Sequence, residues 1–83
     1  MNPKIPATAA MLVKNSERYL TEVLTALQDF DEVLLLDNGS TDRTFEIAER
    51  FTNVSYYKYD FIGFGPMKNL AARLAQNNWI FSI

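Results

Sequence analysis

A chain of 83 residues with 8 Lys and Arg against 10 Asp and Glu, a net charge of −2, has room for one domain at most. Its cations are scattered along the chain, which argues against a nucleic-acid-binding face, and the absence of Cys and His excludes disulfides, thiolate zinc sites, cysteine nucleophiles and imidazole bases. A hydrophobic fraction of 48% with only 3 Gly and 3 Pro is that of a globular chain, and at this size burial alone stabilises it marginally.

Near the amino terminus a lysine and two prolines precede the short apolar run Ala7 to Val13. With no cleavage site behind it, the run reads as a first strand rather than as a signal-peptide core. From Ser16 the period changes: Leu20, Val23, Leu24 and Leu27 fall on one face of a helix that Asn15 or Ser16 can cap. Asp29, Asp31 and Glu32 read as the solvated connection between helix and strand, and the run Glu32 to Asp37, continuously apolar between its two acids, reads as a strand covered on both faces. A second helix follows, with Ser40 or Thr41 as cap and Thr44, Ile47, Ala48 and Phe51 as its buried stripe.

Val54 to Tyr59 is a less apolar strand suited to a sheet edge. Asp60 to Gly65 is then a loop, and Pro66 suits the first position of a third helix with Met67, Leu70, Ala71 and Leu74 at the same helical spacing. Asn77-Asn78 closes it, and Trp79 to Ile83 is a fourth strand. The order β-α-β-α-β-α-β, with crossovers long enough for right-handed parallel connections, predicts an α/β fold: an open parallel sheet with helices on its faces. The last strand is apolar and uncovered, so the pattern predicts either a partial domain or an oligomer that completes the sheet, with self-association through the fourth strand. No run approaches the roughly 18 apolar residues of a membrane span, so the expectation is a cytoplasmic protein, at most peripheral to the inner face of a membrane.

In open α/β sheets ligands sit at the carboxyl ends of the strands. The positions that follow the strands are Lys14 and Asn15, then Asp37, Asn38, Gly39, Ser40, Thr41 and Asp42, then Phe61 to Lys68 with Gly65 between. The second group is the richest, and two readings of it stand side by side. In one, Asp37 satisfies turn amides and Asp42 is a helix-start acid; in the other, the corner binds a ligand. Asn38-Gly39 is also a hairpin signal, although helical spacing follows it, and Gly63-x-Gly65 is a weak dinucleotide signal. Lys68, placed in the first turn of the third helix, opposes the macrodipole, and a bound anion would relieve that conflict. Five of the eleven aromatics lie between Tyr56 and Phe64, either as core filler or as stacking surfaces.

Taken together, the segments Met11 to Arg18, Glu32 to Thr44, Gly63 to Asn69 and Trp79 to Ser82 resemble the family 2 glycosyltransferases of GT-A fold. Within that family they look most like the branch that adds sugars to lipopolysaccharide core and related bacterial surface glycans. The resemblance implies a Rossmann-like nucleotide-sugar-binding domain, of which residues 1–83 are a single amino-terminal part, and a nucleotide-diphosphate sugar lying over the strand ends. Asp37 looks like the carboxylate that helps fix the nucleoside. Asn38 stands where many members have a second acid that contacts the base, and Lys68 resembles a basic residue near the donor. The family's Asp-x-Asp motif, which holds a divalent Mg or Mn, follows the strand matching Trp79 to Ile83, and this sequence ends before it. The implied function is the donor-binding portion of a glycosyltransferase, inactive when isolated, with a nucleotide sugar and no nucleic acid as partner. A non-catalytic nucleotide-binding or oligomerising module derived from such an enzyme is the alternative. Two right-handed crossovers in one direction and one reversal, together with the resemblance, predict the strand order 3-2-1-4.

Overall fold

A computed structural model describes residues 4–83. Four strands, β1 (Ile5–Val13), β2 (Phe30–Asp37), β3 (Val54–Lys58) and β4 (Ile80–Ser82), alternate with three helices, α1 (Leu20–Ala26), α2 (Thr44–Ala48) and α3 (Phe64–Leu74). All pairings are parallel and the sheet order is β3-β2-β1-β4, as the crossovers and the resemblance together predict. Asn38-Gly39 therefore turns a strand into a helix and makes no hairpin. Of the initial run from Met1, the first three positions lie outside the described residues.

The sheet is covered on both faces because the residues of β1 and β2 alternate between two cores. Ala9, Val13, Val33 and Leu35 pack with Leu20 and Leu24 of α1 and Ile47 and Ala48 of α2. On the other face Ala10, Leu34 and Leu36 pack against Met67, Leu70 and Ala71 of α3. Alanine is a poor strand former, yet Ala7, Ala9 and Ala10 are buried in a strand flanked by β2 and β4. Their small side chains suit a central position between two helical layers. The reversal of direction after β3 moves α3 to the opposite face and opens a switch point between the carboxyl ends of β1 and β4.

Several local expectations are corrected. Glu32 is not solvated: it is buried in β2, where Oε1 accepts from the Thr8 hydroxyl (2.8 Å) and the Gln76 amide (2.9 Å) and Oε2 accepts from the Ser55 hydroxyl (2.6 Å). The α2 cap position is Arg43, and α2 ends before Phe51. Neither Asn15 nor Ser16 caps α1 with its side chain. The third helix begins at Phe64 behind Gly63, whose φ of 108° suits glycine, so Pro66 is its third residue rather than its first. Proline is tolerated there because amides of the first turn have no intrahelical acceptor. Lys68 consequently sits one turn into the helix, where the dipole argument for a bound anion loses most of its force.

Candidate functional site

The three loops at the carboxyl edge differ in how tightly they are held. Asp37 ends β2 fully buried, and its Oδ1 accepts from the amides of Gly39 (2.9 Å) and Ser40 (2.7 Å) while Oδ2 accepts from the Tyr56 hydroxyl. Gly39 takes φ 115°, which completes the turn. Asp37 is thus a positioning residue for the corner, since both of its oxygens are engaged within the chain.

The corner is bolted to the β1–α1 loop. Asn15 adopts φ 50°, a conformation asparagine tolerates better than most residues; its amide donates to Ser40 Oγ (2.8 Å) and its Oδ1 accepts from the Thr41 amide (2.7 Å). The Ser16 amide donates to Thr44 Oγ1 (2.8 Å), and that hydroxyl donates in turn to Asp42 Oδ1 (2.5 Å). Asp42 also accepts from the Thr44 amide (2.9 Å) and, through Oδ2, from the Glu17 amide (3.2 Å). Desolvation acts to raise the Asp42 pKa; the Thr44 hydroxyl, the Thr44 amide and the Glu17 amide outweigh it and hold the group below the usual aspartate value. Ser40 and Thr41 therefore join two loops rather than cap α2, while Asp42 accepts from the first amide of α2 and also holds the β1–α1 loop.

A third connection ties β3 to the same corner. The Tyr59 amide donates to the Asp37 carbonyl (3.0 Å), and Asn38 Nδ2 donates to the Tyr59 carbonyl (3.1 Å). Asp37, Gly39, Lys58, Tyr59 and Asp60 line a depression of about 360 Å³ between the ends of β2 and β3. A second cleft of about 290 Å³ lies on the α3 side, where Leu12, Leu36, Phe64, Lys68 and Ser82 are among its walls. Adjacent residues of β2, Leu36 and Asp37, thus belong to the two hollows, and Lys68 lines only the second.

The sequence-derived set is accordingly divided. Asn15, Asp37, Asn38, Gly39 and Asp42 are brought together in one hydrogen-bonded unit. Lys14 is exposed beside Asn15. Gly65 and Lys68 stand apart on α3, with open space where a Gly65 side chain would project. Lys58, Tyr59 and Asp60 were not among the expected site residues; their place at the carboxyl end of a strand was the signal. The aromatic run is not core filler as a whole, because Tyr57, Tyr59, Phe61 and Phe64 are exposed, and only Tyr56 is partly buried against the core, with its ring 5.0 Å from that of Phe45. Among the described residues no three Asp, Glu, His or Cys side chains lie together to hold a metal ion. They do not fit the metal that the resemblance implies, and no metal ligand is assigned.

Comparison with known sequences settles the family. Residues 8–83 match the profile of Glycosyl transferase family 2. The chain belongs to that family. A lipopolysaccharide core biosynthesis glycosyltransferase, LpsC, of Rhizobium meliloti is 28% identical over 87 residues, covering 100% of the chain and 32% of the relative. The poly(ribitol-phosphate) beta-N-acetylglucosaminyltransferase TarS of Staphylococcus aureus is 35% identical over 80 residues, covering 83% of the chain and 14% of the relative. A glycosyltransferase of Rickettsia conorii is 29% identical over 77 residues, 92% of the chain and 27% of the relative. The family 2 chain thus spans a third or less of these curated relatives. Family 2 enzymes generally use nucleotide-sugar donors, often with a metal.

Proposed function

We propose that the chain is the donor-binding portion of a nucleotide-sugar-dependent glycosyltransferase acting in bacterial lipopolysaccharide or surface-polysaccharide synthesis, in the cytoplasm or at the inner face of the membrane. The observation that carries the reading is the bolted corner: the loops after β1 and β2 are locked together at the carboxyl edge of the sheet, beside the switch point where ligands of open α/β folds bind. A preorganised rim of this kind reduces the ordering that binding requires. Membership of family 2 and the likeness to LpsC support the substrate class. Asp37 and Asp42 set the rim, Asn38 presents its side-chain carbonyl to the nucleoside, and Lys14 and Lys68 supply positive charge for the diphosphate.

Calorimetric titration with UDP, GDP, CDP and ADP tests this. One of them binds weakly, and manganese adds little. If a charge-assisted hydrogen bond contributes roughly 1.5 to 3 kcal/mol, Lys68→Ala weakens that binding about tenfold or more. Binding that is indifferent to Lys68→Ala would remove Lys68 from the site, and binding of none of the four would sink the donor reading. The isolated chain transfers no sugar, and measurable transfer from a nucleotide sugar would contradict its being a donor-binding portion only.

A further inference from the structure

Tyr59 sits where β3 has just ended, and no part of the donor reading above uses it. Its backbone is held at both polar groups: the amide donates to the Asp37 carbonyl (3.0 Å) and the carbonyl accepts from Asn38 Nδ2 (3.1 Å). The residue is nevertheless 42% exposed and lines the hollow completed by Asp37, Gly39, Lys58 and Asp60. The backbone that carries this large aromatic is fixed at the wall of the hollow, and the ring is presented there without being buried. Burial of apolar area is the usual reason for an aromatic's position, and here much of the ring's area stays in solvent.

We propose that Tyr59 is the stacking platform for the donor's nucleobase, in the hollow between the ends of β2 and β3. This deepens the donor-binding reading and rests on it. Three features favour the base over the sugar or the phosphates. The hollow lies outboard of the β1/β4 switch point, by the sheet order, so an extended ligand with its diphosphate near the switch point extends its nucleoside toward β2 and β3. Gly39 contributes a floor without a side chain, which allows a planar ring to approach the backbone. One amide hydrogen of Asn38 is already committed to the Tyr59 carbonyl, which fixes the amide's orientation and leaves its oxygen as an acceptor for a base N–H.

The stacking prediction is read from affinities of the 83-residue chain and three variants for whichever of UDP, GDP, CDP and ADP the wild type binds best, and for the corresponding nucleoside without phosphates. Base–aromatic stacking contributes about 1 to 3 kcal/mol, so Tyr59→Ala weakens both diphosphate and nucleoside by roughly 5- to 150-fold. Tyr59→Phe keeps the ring and stays within about twofold of wild type. Lys68→Ala weakens the diphosphate and leaves the nucleoside unchanged. Amide NMR spectra of the variants establish that each is folded, which Tyr59's exposure and backbone-only bonding lead one to expect. Wild-type affinity in Tyr59→Ala overturns the platform while leaving the donor reading intact. A loss confined to glucose 1-phosphate, used as a sugar-only probe, overturns it in favour of a sugar platform. Failure of all four diphosphates to bind wild type overturns the donor reading itself, and the platform with it.

Discussion

Asp42 titrates below an ordinary aspartate because, against the raising effect of desolvation, it accepts bonds from the Thr44 hydroxyl and from the Thr44 and Glu17 amides. A carboxyl whose folded-state pKa is depressed contributes stability that is present above its unfolded value of about 3.9 and lost as pH falls through the folded value. An NMR titration of the Asp42 side-chain carbon is therefore expected to give a midpoint below that of a free aspartate. A midpoint at or above the free value would contradict the bonding described. Asp37 gives a second residue-scale expectation. Tyr56→Phe leaves its buried Oδ2 without the phenolic donor, which costs roughly 1 to 3 kcal/mol, read as a lower urea midpoint with unchanged slope. The positions of Asp37 and Asp42 were legible in the sequence, since one closes an apolar strand and the other opens a helix. The partners were not. Asn15 meets Ser40 and Thr41 across 25 and 26 residues of chain, and local spacing carries no information about such pairs. For the same reason the sequence left open whether Asp37 touches ligand or holds the turn.

The elements were legible wherever burial dictates a period. Leu20 and Leu24, Ile47 and Ala48, and Met67, Leu70 and Ala71 are buried as their helical spacing predicts. Element ends were less legible, because they depend on tertiary bonds and local backbone: Ser40 and Thr41 look like helix caps until Asn15 claims them, and Pro66 looks like a first residue until Gly63 turns the chain and the helix starts two residues earlier, at Phe64. Glu32 shows the same limit at the amino-terminal edge of the sheet. Its carboxyl group joins β1 through Thr8, β3 through Ser55 and the α3–β4 connection through Gln76, while Asn77 Nδ2 donates to Thr8 Oγ1 (3.2 Å) and to Asp31 Oδ2 (3.0 Å). Glu32→Ala removes the common acceptor of three donors, and at about 1 to 3 kcal/mol for a buried group left unsatisfied it is expected to destabilise the fold severely. Glu32→Gln keeps the shape and the acceptor oxygen and is expected to cost less. Urea denaturation of both variants checks the order, and equal midpoints for Glu32→Ala and wild type would show that the network contributes nothing.

For the molecule as a whole, the cores settle the sheet order but leave β4 thinly covered. Phe81 meets the Phe30 ring at 5.7 Å and is still half exposed, and Trp79 is 72% exposed. Exposed apolar residues beside an unpaired strand edge favour association, so the isolated chain is expected to self-associate in sedimentation runs as concentration rises, and Phe81→Lys to reduce it. A wild-type chain that stays monomeric at high concentration would count against this. The fold class followed from the element order and its long crossovers, and the strand order from the crossovers together with the family resemblance, whereas the two hollows did not, because they are made by residues from separate loops and no single stretch of sequence carries their shape. Binding of a nucleoside diphosphate at the carboxyl edge of this sheet is tested most directly by mapping amide shifts in a ¹H–¹⁵N NMR titration with UDP, GDP, CDP and ADP. The predicted result is that one of them shifts Asn15, Asn38, Gly39, Tyr59 and Lys68 together, with Thr8, Glu32, Ser55 and Gln76 at the opposite edge unmoved; shifts centred on that opposite edge, or none at all, would contradict it.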